Sequence, residues 1–533
     1  MLTPTDHQRS FYDADQICES LIPPDNFYRK FREVVTPLIQ DDQFAAMYCV
    51  DNGRPAIPPA LLALATILQF HRNLSDREME RACMYDLEVK YALGLRLDER
   101  PFDHSSLGDF RQRLLANGQE KAVFDRLLSH LVEAGLIQKN EIQRIDATHV
   151  IADIAIPTMI TLIKKGVFEV LKPLQKRHKD TLEQFGQEIA LAEYGKQKVN
   201  QECPGRHDLE RKKRKLVEVV RDARTVLAHT RDLPGDPILT RRVETLQRIL
   251  RENIEVDPDG TPKEKAYKAK GPDLLVSPID PDARYGAKSD TKRFTGYKAN
   301  ITETVSSRFL TSITATPANH RDGEGTVAAI VEQEGYGLHP AKLIGDTAYS
   351  DGAYRKDLKE HGTELVAPLR TVNPRTRAIY PKSMFAYDHD QNTLTCPEGI
   401  TVKQTFTDYR HQLRMFHFPM AACTRCPRQP ECTNAKEGRR TVGISESNDE
   451  LREAEVYNKT EAFKADMKLR PPIEGKLAEL TRYHGLRRAR YRTLVKVQLQ
   501  CYFTVVAVNI KRWIKLLAEK WRAGREEAIP VIG

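Results

Sequence analysis

The sequence predicts a mixed α/β sheet with helices on both faces, preceded by an all-α N-terminal region and interrupted by two insertions. Three observations carry that architecture. Capped helical runs fill residues 1–138. β-branched alternating segments, first around 140–156 and again from 294, lead into alternating helix and strand. Two stretches break the pattern, a charged helical one at 159–270 and a cysteine-bearing one at 386–445.

In the N-terminal region, Pro58 and Pro59 open the run ALLALATILQFHR, and Ser75, with Glu78 three residues on, makes a capping box for the next helix. After Pro101, Ser105 or Ser106 can cap a third helix, LGDFRQRLL, bearing Arg111, Gln112 and Arg113. A helix-turn-helix reader of DNA and ordinary helical packing both fit, because the gap between the helices is longer than the tight turn of that motif. EIQRIDATHVIADIAI reads as the first strand. Residues 159–253 read as a long antiparallel helical hairpin with loops at 202–207 and 232–238, open to DNA contact, dimerisation or a plain structural role. FTGYKANITET and RFLTSITATPA, separated by Ser306 and Ser307, form a hairpin. A helix at 323–334, the strand KLIGD, a helix at 352–361 and the strand ELVAPL complete a core drawn from 139–158 and 271–385. Residues 446–533 supply the last helices, the final one running from Thr493 to about Trp521 with an apolar face.

Composition narrows the class. Of 533 residues, 40% are apolar and 29% charged, which excludes a disordered chain. The longest apolar run, around 501–510, is about half of the roughly 20 residues a membrane span needs. The N-terminus, MLTPTDHQRS, has no apolar signal core. A cytoplasmic location is expected. The formal charge is +9, and residues 461–533, with sixteen basic and seven acidic residues, hold all of that excess. Charge concentrated in this way faces a polyanion, most commonly nucleic acid, although a solvated helix face is the plainer alternative. Arg487, Arg488, Arg490 and Arg492 put four arginines within six residues, beside Tyr491, and arginine suits bidentate phosphate contact.

Nine cysteines are too few for a disulfide scaffold. Cys18, Cys49, Cys83, Cys203 and Cys501 stand singly and read as small buried hydrophobes. Cys396, Cys423, Cys426 and Cys432 cluster instead. They flank TVKQTFTDYRH and QLRMFHFPM, which read as a hairpin, and they suit a structural Cys₄ zinc site that would fold a segment too short for its own core. His411 and His417 are possible substitute ligands, and four reduced thiols are the plainer alternative.

Three acids stand out. Asp146 lies inside the first strand and Asp346 at the end of KLIGD, where a carboxylate leaving an apolar strand is well placed for a cation. Either one alone reads more readily as a turn or cap residue than as a catalytic one. Glu474 falls in the first turns of a helix that Pro471 and Pro472 open, with Ile473, Leu477 and Leu480 at helical spacing. Arg470, four residues earlier, can contact a phosphate or orient the glutamate. Glu479 is a rival acid, displaced around the helix, that can simply pair with a nearby base.

These residues resemble the DDE-class transposases of bacterial insertion sequences. The resemblance runs from PPALLALATILQFHRNLSDREMERACMYDLEVKYALGL and PFDHSSLGDFRQRL through IDATHV and IGDTAYSDGAYRKDL to RPPIEGKLAELTRYHGLRRARYRTLVKVQLQCYFTVVAVNIKR. Relatives carry a Tyr-x2-Arg-x3-Glu-x6-Lys signature. Arg470 and Glu474 match it, Met467 and Thr481 occupy the Tyr and Lys positions, and Arg482 stands beside the latter.

The resemblance implies an RNase H-like core with Asp146, Asp346 and Glu474 as catalytic ligands of Mg²⁺ or Mn²⁺. It implies cleavage and strand transfer of double-stranded DNA at the element's terminal repeats and at target DNA, by a homodimer in the synaptic complex. Arg470, Arg482, Arg487, Arg488, Arg490 and Arg492 are the expected DNA contacts. A nuclease of the same fold without strand transfer, or a catalytically dead DNA-binding protein, are the alternatives.

Overall fold

The computed structural model describes residues 11–522 apart from 50–54, 155–157, 197, 201–208, 231–232, 234–235, 289–290, 371–379 and 410–412. The N-terminal region is helical, built around α1 (Pro59–His71), which is buried on nearly every side. The capping box at Ser75 starts α2 (Asp76–Tyr85), with both reciprocal hydrogen bonds in place. The next long helix, α3 (His104–Ala116), begins earlier than either serine suggests, because Asp103 caps it by accepting from the Ser105 backbone N–H at 2.8 Å. No tight DNA-reading turn joins α2 to α3, since a further helix, Leu87–Leu93, lies between them. Arg111 points inward, its Nη2 2.6 Å from Asp76 Oδ2 and its guanidinium over the Tyr491 ring. The helix-turn-helix alternative is therefore set aside in favour of packing.

Strand β1 (Gln143–Ile151) leads out of this region into the central sheet. The charged insertion that follows is not a two-helix hairpin. Helix α4 (Met159–Arg177) stops at His178, and the chain doubles back before α5 (Leu209–Thr230) and α6 (Pro237–Asn253). The three pack as a bundle around Val167, Val170, Val219, Ala223, Leu246 and Ile249. Gly166 permits the close α4–α6 approach: a Cβ there would lie 2.9 Å from Leu246 Cδ1. The expected loop at 202–207 lies outside the described residues, as do residues 232, 234 and 235 of the expected loop at 232–238.

The central sheet is completed by β2 (Arg284–Ala287), β3 (Arg293–Thr304) and β4 (Leu310–Pro317), then α7 (Thr326–Glu334), β5 (Lys342–Ile344), α8 (Gly352–Glu360) and β6 (Glu364–Val366). Strand β3 pairs antiparallel with β1, β2 and β4, whereas β5 runs parallel to both β1 and β6. Four-residue β2, which contains Gly286 and has no alternation, escaped the sequence reading.

Residues 386–445 form two small three-stranded antiparallel sheets rather than one hairpin. Residues 401–403 pair within the first and 406–408 with 413–417 in the second. The segment has a core of its own, made by Phe385, Leu394, Phe416, Phe418, Val442 and Ile444, which corrects the expectation that it is too short for one.

The last described helices are α9 (Pro472–Arg482), which carries Glu474, and α10 (Leu494–Arg522). Helix α10 runs between α1 and the outer strand β4, with Phe503 stacked on Phe70 and Trp513 buried. Its amides satisfy the unpaired edge of β4. Gln498 accepts from Ala315 N–H and donates to Ile313 O, and Asn509 accepts from Leu310 N–H and donates to Leu310 O. Among the described residues no helix is long and apolar enough to cross a membrane.

Glu479 does pair with bases: its carboxylate lies 3.1 Å from Lys476 Nζ and 2.7 Å from Lys511 Nζ, tying α9 to α10. Burial pushes its carboxyl up, but Lys476 and Lys511 outweigh that and bring it down to about 2. A depressed carboxylate stabilises the fold above its unfolded value of 4.5 and loses that contribution as pH falls toward 2. Glu479→Gln is therefore expected to cost about 1–3 kcal/mol in urea unfolding at pH 7, because it leaves buried Lys476 without its carboxylate. The difference from the unsubstituted protein should shrink steadily below about pH 4.5.

Candidate active site

Register brings the first two acids together. Parallel pairing aligns Arg144 of β1 with Ile344 of β5, so two residues further along Asp146 and Asp346 leave the sheet side by side. Each is oriented by a backbone N–H. Asp146 Oδ1 accepts from Ala147 N–H at 2.8 Å, and Asp346 Oδ1 accepts from Ala348 N–H at 2.8 Å as it caps a short 3₁₀ turn. The third acid arrives from α9, whose Ile473 and Leu480 are fully buried and hold Glu474 beside the sheet.

Arg470 lies among all three. Its Nη2 is 2.9 Å from Asp146 Oδ2 and 3.6 Å from Asp346 Oδ2, and its Nη1 is 3.5 Å from Glu474 Oε1. The acids differ in exposure: 14% of the Asp146 side chain is accessible, against 42% for Asp346 and 69% for Glu474. Burial, with Asp346 and Asp322 adding to it, pushes the Asp146 carboxyl up to about 6, against the pull of Ala147 N–H and Arg470.

The turn that carries Arg470 is pinned from below. Arg144 stands opposite Glu303 across the β1–β3 pair, and its Nε donates to Glu303 Oε2 at 2.8 Å, both side chains being fully buried. Arg144 Nη1 also donates to Leu469 O at 2.7 Å. Arg308, held in the left-handed region at φ 67°, donates to Glu303 Oε1 at 2.6 Å and to Pro472 O at 3.3 Å. One buried acid thus fixes two arginines that grip both ends of the segment 469–472.

The three acids open onto a cleft of about 580 Å³ that Lys288, Lys298, Arg482 and Arg487 also line. Asp322, in the loop after β4, lies in the same cleft with its Oδ1 2.7 Å from Lys298 Nζ. The sequence reading missed both, because neither position carries a spacing signal. Thr481 is buried and its hydroxyl donates to Leu477 O, while neighbouring Arg482 is exposed in the cleft.

The six arginines expected to contact DNA are therefore not equivalent. Arg482, Arg488 and Arg492 are exposed. Arg487 lines the cleft but spends Nη1 on His149 O at 2.9 Å. Arg470 is occupied by the acids. Arg490 turns inward, donating to Leu74 O and Asn73 Oδ1, both at 2.6 Å, over the Phe70 ring, so in this structure it joins the N-terminal helices to the segment after α9 instead of facing DNA.

Cys396, Cys423, Cys426 and Cys432 are free thiols around one cavity. Burial raises the Cys432 thiol most, and Cys423, Cys426 and Cys396 raise it further, while Arg440 opposes them. No three of their sulfurs lie within 4.8 Å of one another; among the described residues only Glu80, Asp103 and His104 form such a trio. The His411 alternative lies outside the described residues, and His417 stacks edge-on against Phe406.

Residues 395–514 match the family model described as Transposase DDE domain, and residues 16–113 match that described as Transposase domain (DUF772). No curated protein and no solved structure matches the chain. The chain thus carries an N-terminal transposase domain and a C-terminal transposase DDE domain, the pairing of an insertion-sequence-type DDE transposase. Those domains imply DNA binding and transposition by a DDE-type phosphoryltransferase, and DDE domains generally use divalent metal ions.

Proposed function

We propose that Asp146, Asp346 and Glu474 are the catalytic acids of an RNase H-like core that cleaves DNA at the element's terminal repeats and joins the freed 3′ ends to target DNA. The strand order β4-β3-β1-β5-β6, antiparallel over the first three and parallel over the last three, supports the fold assignment. The observation that carries the reading is the guanidinium of Arg470 lying within 3.6 Å of all three carboxylates, a cation where an oxygen-rich donor set would take Mg²⁺ or Mn²⁺. When bound, two such ions supply activation of the attacking oxygen and stabilisation of the leaving oxygen in an in-line displacement at phosphorus.

The chain's own residues do the rest. Ala147 and Ala348 N–H groups hold one oxygen of each aspartate and leave the other for the ion. Lys288, Arg482 and Arg487 neutralise the DNA backbone along the cleft, where Lys298 is already paired with Asp322, and exposed Arg488 and Arg492 extend that path. Two ends must be brought together for joining, so the working assembly contains two copies of the chain, acting in the cytoplasm at the nucleoid.

The test uses purified protein and linear DNA carrying the element's ends, with Mg²⁺ or with EDTA. Metal-dependent cutting followed by joining supports the proposal. Cutting without joining would leave a nuclease, and binding without chemistry would leave a DNA-binding protein.

A structural zinc ion on Cys396, Cys423, Cys426 and Cys432 belongs to the same proposal, supported by four thiols facing one cavity. The thiols must rotate toward one another to ligate it. Elemental analysis should find one zinc per chain, lost in the double variant Cys423→Ser, Cys426→Ser. Because the segment has its own core, that variant should remain folded by circular dichroism. No zinc in the unsubstituted protein would mean four reduced thiols.

A further inference from the structure

We infer that Arg470 is the resting counter-cation of the three acids and must leave them before metal can load, which couples metal binding to DNA binding. The inference rests on reading the acids as the metal site.

Three features of Arg470 carry it. Its two terminal nitrogens reach Asp146, Asp346 and Glu474 together, so it occupies the space a divalent ion needs. Its Nε is buried without an acceptor, so this position satisfies the guanidinium only in part, and a stronger acceptor can win it. Its backbone cannot follow, because Arg144 holds Leu469 O and Arg308 holds Pro472 O. Departure is therefore a side-chain rotation on a fixed turn.

Charge sets how far metal loading can go while it stays. Three carboxylates and one guanidinium sum to −2, so a single divalent ion is opposed less by charge than by Arg470 already holding the oxygens it needs. Two divalent ions with the guanidinium still inside would make the site net positive. Three carboxylates, two divalent ions and one phosphodiester sum to neutrality, with the guanidinium moved outward. The group that can receive it is a phosphate, and the basic lining of Lys288 and Arg482 brings a DNA backbone to that place. DNA draws Arg470 off the acids and metal fills the gap, so each ligand strengthens the other.

The experiment measures Mn²⁺ affinity of the full chain by electron paramagnetic resonance, with and without a short DNA duplex, and does not depend on turnover. The duplex should tighten Mn²⁺ binding by about tenfold or more in the unsubstituted protein, within the usual range of coupling between sites. Arg470→Gln should bind Mn²⁺ without DNA about as tightly as the unsubstituted protein does with it. Arg470→Lys should also bind more tightly than the unsubstituted protein without DNA, because one ammonium cannot reach all three acids, and it serves if the glutamine variant fails to fold. Equal Mn²⁺ affinity in the folded variants and the unsubstituted protein, or no effect of the duplex, would overturn the inference. Undiminished Mn²⁺ binding by the double variant Asp146→Asn, Glu474→Gln would overturn the metal-site reading instead.

Discussion

Glu474→Gln is expected to lower strand cleavage by roughly 10²–10³-fold or more, the scale seen when one preorganised electrostatic contact is removed from a transition state. DNA binding should persist. The substitution is isosteric, 69% of the side chain is exposed, and its ion-pair partner is Arg470, so little of the fold depends on it. Cleavage of end-bearing DNA beside a gel-shift measurement separates the two effects, and unimpaired cutting would remove Glu474 from the catalytic set. Acidity offers a second check on the same site. The Asp146 carboxyl lies at about 6 in the fold, above its unfolded value of 3.8. Protonation therefore favours the native state below about pH 3.8, and that advantage is lost as pH rises through about 6. Metal requires the ionised form, so cleavage at limiting Mg²⁺ should fall as pH drops through about 6, and the midpoint should move lower as Mg²⁺ is raised.

Glu303→Ala is expected to cost about 3–5 kcal/mol, the usual penalty for breaking a buried ion pair, because Arg144 would stay buried without its counter-ion. Urea unfolding reads that loss. A compensated variant, Arg144→Met with Glu303→Leu, should recover much of the stability, since apolar pairs often replace buried ion pairs without penalty. It should not recover cleavage. Leu469 O would lose its donor, and Arg308 would lose the carboxylate that aims it at Pro472 O, so Arg470 and Glu474 would no longer be held in place. Full activity in the compensated variant would reduce the network to a packing feature.

Much of this was legible before any coordinates. Local signals placed α1, the Ser75 capping box, β1, the β3–β4 hairpin and the proline-led start of α9, because each is written in consecutive residues. Strand ends and a helix start singled out the three acids, the resemblance grouped them, and the parallel register sets two of them side by side. What the sequence could not show depends on residues far apart along the chain. Arg144 and Glu303 meet only through the β1–β3 register, and Arg490 reaches Asn73 and Leu74 only once α10 lies on α1. Four clustered arginines looked alike as a charge run, yet one is an interior strut. The charged insertion misled for a related reason: its apolar faces fit a hairpin as well as a bundle, and only the break at His178 returns the chain to make the bundle.

The outer edge of β4 stays open until Gln498 and Asn509 arrive, and those residues are synthesised roughly a third of the chain after β4 itself. While the chain is growing, the half-built sheet therefore presents a strand with unpaired backbone groups, able to recruit a strand from another nascent chain. A product cut short before α10 would keep that edge permanently. Such a product is expected to associate with other copies through that edge, a hazard that the last helix removes.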